Sequence, residues 1–128
     1  MRRNSHINDY AILSLSLSLF ITTVSAFPIQ PANFSIDGFV ESHQVRFVWS
    51  VADFEGIARF IIVHKEEGSN SRTITEIEPE YTMYTLRDLK ELTSYLVYLD
   101  TVFKNGTTVR TDVLVFQTPQ NGKYLFKW

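Results

Sequence analysis

The chain has no cysteine. That excludes a disulfide-stapled scaffold, a thiolate metal site and a cysteine nucleophile, so any fold must be held by packing alone. Excess charge is missing too. Twelve basic against fourteen acidic residues leave a formal net charge of −2, which lacks the basic footprint that nucleic acid requires. Helical periodicity, internal repeats and low-complexity stretches are absent from the part after residue 26, and so is any apolar run of the roughly 20 residues that span a bilayer. No glycine-rich phosphate loop occurs, and no serine sits in a nucleophile elbow or beside an activating partner. Neither His43 nor His64 has a companion at metal-ligand spacing. These absences give no cofactor, no metal and no catalysis as the expectation.

A folded domain is nevertheless indicated. The chain is 45% hydrophobic and only 20% charged, a globular balance rather than a disordered one. Its N-terminus is of another kind. Arg2 and Arg3 precede an uncharged, mostly apolar run of 14 residues from Ala11 to Val24, followed by the small residues Ser25 and Ala26. This is the layout of a secretory signal peptide over residues 1–26, cleaved before Phe27, and the run is too short for a spanning helix. The mature chain is therefore expected to be secreted, extracellular and free of a transmembrane span.

The remainder reads as short strands. Residues 27–33 contain two prolines and form an extended lead-in, followed by a strand over 34–40 interrupted at Asp37-Gly38. Val45, Phe47 and Trp49 fall on one side of the run 45–50, the period of a half-buried strand. Phe60, Ile62 and His64 share a face in the next run. In 72–78, Ile74 and Ile77 break strict alternation, which predicts a bulge or a sheet edge. Tyr84 and Leu86 precede a corner, and Tyr95, Val97 and Leu99 follow it. Asn105-Gly106 is a hairpin signal, and 109–118 completes the set with Val113 and Val115 facing one way. Seven strands with regular turns predict an all-β, antiparallel, immunoglobulin-like sandwich.

The corner is the most specific element. A tyrosine there buries its ring while its hydroxyl bonds backbone a few residues upstream. Together with Trp49, the Ile57-x-x-Phe60-x-Ile62 strand, Leu89…Tyr95 and the ending Val113-Leu-Val-Phe-Gln-Thr-Pro119, it makes residues 34–119 resemble a fibronectin type III domain. The resemblance implies that Trp49, Phe60, Leu89 and Tyr95 are core. It also implies a non-catalytic recognition module in an adhesion, matrix or ligand role, with an extracellular or cell-surface protein as partner. Departures are present: Glu91 and Leu92 stand where the family has proline and glycine, and Leu92 is expected to pack where glycine would turn. Thr101 stands where a small residue is usual. Arg-Gly-Asp is absent.

Candidate sites follow. Asn33 and Asn105 head N-glycosylation sequons. Asp53, Phe54 and Glu55, an aromatic flanked by charge, are the expected partner contacts in the loop 52–57, with Asn105 on the second loop. Glu76, Glu78 and Glu80 read as a solvated, edge-protecting stretch. The tail 120–128 places Tyr124, Phe126 and Trp128 in an apolar cluster suited to a partner. The alternatives are a hormone-like product that homodimerises through sheet edges, or a partial form of a larger receptor or matrix protein.

Overall fold

The computed structural model describes residues 29–122 and the backbone of 124–126. The expected signal peptide, the first residues of the lead-in and Trp128 lie outside the described residues. Among the described residues nine strands form two antiparallel sheets packed face to face: β1 (Asn33–Glu41), β2 (Val45–Ser50), β3 (Ile57–Glu66), β4 (Thr73–Ile77), β5 (Met83–Leu86), β6 (Ser94–Phe103), β7 (Thr108–Arg110), β8 (Leu114–Gln117) and β9 (Tyr124–Phe126). One sheet has the order β5-β2-β1-β9. The other has the order β4-β3-β6-β7, and β8 also pairs with β6.

The antiparallel sandwich is the architecture expected, but nine strands replace seven for two local reasons. The run 109–118 is split at 111–113, where Thr111 takes over the ladder to β6. Its N–H donates to the Leu99 carbonyl at 3.0 Å, and its hydroxyl accepts from the Leu99 N–H at 3.0 Å. A side chain has replaced a backbone acceptor, and the strand bends there. The ninth strand comes from the tail, which turns at Gly122 (φ +82°) and pairs with β1, Val40 opposite Leu125.

Elsewhere the local rules hold. β1 carries an irregularity between Ile36 and Val40, where Gly38 takes φ +85°, so Asp37-Gly38 bends the strand without ending it. β4 is an edge strand in regular register with β3, and Ile77 reaches the core while Ile74 stays exposed. Between the sheets, Phe47, Phe60 and Phe116 are fully buried with Ile62, Val97 and Leu99. Trp49 lies edge-on to Phe60 at 5.5 Å, and Tyr95 stacks on Phe116 at 5.5 Å. Aromatic pairs in these geometries add to area burial.

The corner before β6 is closed twice. The Tyr95 hydroxyl accepts from the Lys90 N–H at 2.9 Å. Thr118, fully buried, accepts from the Thr93 N–H at 3.0 Å and donates to the Lys90 carbonyl at 2.6 Å. Leu89 is buried beneath, and its N–H donates to the His43 carbonyl at 3.0 Å. Leu92 departs from expectation. It does not pack: it is 61% exposed and sits in the left-handed region at φ +52°. The turn needs glycine's backbone angles, and leucine adopts them at a steric cost.

Candidate binding surface

The structure brings the two expected contact loops together. The Lys104 N–H donates to the Gly56 carbonyl at 2.8 Å, joining the loop 51–56 to the turn 104–107 at one end of the sandwich. Asp53 is a turn former here: its Oδ1 accepts from the Glu55 N–H at 2.9 Å. Phe54 is half-exposed, and its carbonyl accepts from the Ile57 N–H at 3.2 Å. In the turn 104–107, Asn105 Oδ1 accepts from the Thr107 N–H at 2.9 Å. Gly106 alone takes the left-handed conformation there. Asn33 is exposed and lies opposite Ser50, the last residue before the loop 51–56. Both sequons therefore sit at the same end.

The remaining candidates are scattered. The backbone of 124–126 is engaged with β1, and the side chains of Tyr124 and Phe126 are outside the described residues, as is Trp128. Trp49, Phe60, Leu89 and Tyr95 are buried in the core. Glu76 pairs with Arg59 at 3.1 Å on the outer side of β4, while Glu78 and Glu80 are exposed. Among the described residues no group of three histidine or acidic side chains is placed to hold a metal ion. His43 meets the Leu89 carbonyl through Nδ1 at 2.8 Å. His64 faces the core, its ring 6.5 Å from Tyr95 and its buried Nδ1 without a partner among the described residues; burial holds its pKa below the ordinary 6.5.

A second surface has no counterpart among the expectations. A sheet with one wet face alternates apolar and polar residues, and β2 largely does so: Val45, Phe47 and Trp49 point in, Arg46 and Ser50 are exposed, and Val48 is its one apolar outward residue. The central strands of the other sheet do not. In β3, Phe60 and Ile62 point to the core, but Ile61 and Val63 on the opposite side are apolar as well. In β6, Tyr98 lies opposite Val63 and Leu96 opposite Lys65, both on this outer side, and Val115 on β8 lies beside Leu96. Val63 is buried although it lies outside the core cluster. Around it Ile74, Val113 and Val115 are 56%, 54% and 49% exposed.

This outer face is braced. Arg110 makes a bidentate pair with Asp100 (2.8 and 3.0 Å), and its guanidinium lies 4.1 Å above the Tyr98 ring. The Asp100 carboxylate is almost fully buried, whereas the arginine is half open. Its hydrogen bond to Asp100 raises the Arg110 pKa further above the ordinary value. Tyr98 is thus held flat by a fixed cation, a rigid aromatic of the kind that anchors interfaces. The outer side of the other sheet mixes polar residues with the exposed Phe39 and Met83. A cleft there is lined by Asp37, Glu41, Gln44, Arg46, Thr85 and Arg87 with Gly38 and Phe39, and Asp37 and Arg46 pair at 2.9 Å.

The sandwich with its tyrosine corner is a fibronectin type III fold. A solved myokine structure superposes with a TM-score of 0.64 at 21% identity, over 73% of this chain and all of that one. The FN1–FN3 domains of chicken CNTN1 give 0.62 at 12% identity, over 73% of this chain and a third (33%) of that one. The fn3 domain of the human collagen alpha-1(XX) chain gives 0.61 at 16% identity, over 77% and 89%. At these identities the likeness is one of fold. No protein-family profile and no curated protein matches the sequence.

Proposed function

We propose that the chain is a secreted, non-catalytic protein-recognition module of fibronectin type III architecture. It is released after removal of residues 1–26, carries glycans on Asn33 and Asn105, and binds an extracellular or cell-surface protein. The observation that carries the recognition role is the outer face of β3 and β6. A solvated sheet has no folding use for apolar side chains on both sides, and a contiguous exposed apolar patch marks an interaction surface. The positive residues before the apolar run at the N-terminus support secretion, and the exposure of both sequon asparagines supports modification.

The test is to express the full chain in secreting cells and take the intact mass of the product in the medium, with and without glycosidase. The purified product is then titrated onto intact cells by flow cytometry. A product starting at Phe27, shifting with the enzyme and binding cells saturably, is expected. Retention inside the cell with Met1 attached would end the extracellular reading, and absence of saturable binding to any cell type would end the recognition reading.

A further inference from the structure

The apolar face of β3 and β6 contains a cleft of about 490 Å³ lined by Val63, Leu96, Tyr98 and Val113 together with His64, Lys65, Asn70 and Arg72. Its formal charges are all positive. Lys65 ends the outward row of β3, and Arg72 stands immediately before β4, next in line after the Thr73–His64 pair. The two cations flank the same opening. Neither lies within ion-pair distance of a carboxylate among the described residues, where the four ion pairs use Arg46, Arg59, Lys90 and Arg110. Lys65 Nζ donates to the Ser69 carbonyl at 3.1 Å, which fixes the ammonium without neutralising it.

Like charges on neighbouring strands repel, and this pair stands on a protein whose formal net charge is negative. On the far side of the apolar patch the two arginines are paired: Arg59 with Glu76 and Arg110 with Asp100. Two unpaired cations therefore face each other at the mouth of the cleft, where an anion between Lys65 and Arg72 would satisfy both. An anion alone would not use Val63, Leu96 and Val113 beside it. We infer that this cleft receives a partner protein segment that carries a carboxylate next to a branched aliphatic or aromatic side chain. The carboxylate sits between Lys65 and Arg72 and the apolar side chain on Leu96, Tyr98 and Val113. Complementary charge fixes register and speeds encounter, while the desolvated apolar anchor supplies affinity. The inference rests on the recognition role proposed above and assigns it a place and a partner chemistry.

The probe is a random peptide library displayed on phage and selected against the full secreted chain. Selected peptides are synthesised and titrated onto the wild type and onto Lys65→Glu, Arg72→Glu, Val113→Asp and, at the loop end, Phe54→Asp. All four positions are at the surface, and matching thermal melts verify that each variant is folded. Peptides pairing Asp or Glu with Leu or Phe are expected. Each of the three face variants should weaken them about tenfold or more, the scale of a desolvated charge pair, and added salt should weaken them further. Phe54→Asp should leave them unchanged. Failure to enrich acidic-apolar peptides, or peptides sensitive to Phe54→Asp alone, would overturn the inference. So would a wild type that sediments as a dimer dissolved by Val113→Asp, since the cleft would then be covered by a second copy. If the face variants still bind cells as the wild type does, the assignment of this cleft falls while the recognition role stands. If the wild type binds no cells, the role itself falls.

Discussion

Tyr95 and Thr118 show how one corner divides its work between a ring and a hydroxyl. Tyr95→Phe leaves the Lys90 N–H without its acceptor, and Thr118→Val strands both the Thr93 N–H and the Lys90 carbonyl. Each change should cost ~1–3 kcal/mol in urea melts, the penalty for an unsatisfied buried group. Thr101 is the converse case, for its buried hydroxyl has no partner among the described residues. Thr101→Val keeps the shape and removes a desolvated hydroxyl, so the unfolding free energy from urea melts should rise by roughly 1 kcal/mol. A fall would mean that the hydroxyl is satisfied in solution. Leu92→Gly should also stabilise. It relieves a left-handed leucine worth ~1–2 kcal/mol but gives back ~0.4–1 kcal/mol of unfolded-chain entropy, leaving a gain of the order of 0.5–1 kcal/mol by the same denaturation.

His64 ties a residue to pH. Its folded pKa lies below the ordinary 6.5 because burial disfavours the charged ring, so the unfolded chain takes up the proton first. Stability is unaffected by this group above pH 6.5, declines as the pH falls through that value, and stops declining below the lowered folded pKa. The clefts against which it lies also contain Lys65, Glu66, Arg87, Asp88, Lys90 and Tyr95, and their titration is common to wild type and variant. The loss of urea midpoint between about pH 7 and about pH 5 should therefore be smaller in His64→Phe than in the wild type. Equal losses would show that His64 is not the group responsible.

Among the elements, β9 is the one whose removal is most informative. It contributes three paired residues at the free side of β1. A chain ending at Gly122 keeps the whole core cluster, so its stability should drop only slightly, by about 1 kcal/mol, the scale of a few net backbone hydrogen bonds. The bare edge of β1 should promote self-association, visible by sedimentation, because unpaired strand edges template further pairing. The elements also mark what the sequence makes legible. β2 can be read almost residue for residue, since Val45, Phe47 and Trp49 alternate with Arg46 and Ser50. The corner can be read because leucine and tyrosine recur at a fixed spacing. Reading β3 by its inward residues alone, however, hides Ile61 and Val63, and the signal lies in the missing alternation of β3 and β6. Thr118 is invisible for another reason: at the end of a strand a threonine looks like surface until the fold brings residue 90 to it. The left-handed turn at Leu92 leaves no trace in the leucine itself and is signalled only by the glycine that the resembled family has at that place.

At the scale of the whole molecule, the two ends and two faces of the sandwich differ in kind. The loop end gathers Asn33, Asn105, Asp53 and Phe54, so glycans at both sequons would crowd the aromatic that sequence reasoning favours as a contact. The outer face of β3 and β6 carries neither sequon, and its cleft opens near the end of β3 at Lys65, away from the loop 51–56 that precedes β3. Removing the glycans with glycosidase should therefore leave cell binding by the full chain unchanged. A gain in binding would instead point to the loop end. The outer side of the other sheet sets the Asp37–Arg46 pair beside an exposed Phe39.

The double closure of the corner also sets the timing of assembly during synthesis. Residues 90 and 93 are made well before their partner at 118, and β6 gains its second neighbour only with β7 and β8. A chain emerging from the ribosome can pair β1 with β2 and β3 with β4 as they appear. It cannot lock the turn ahead of β6 until almost the last described residues are free. Completion therefore waits for residue 118 to emerge, and a nascent chain stalled before residue 118 should remain open to protease at residues 90–95.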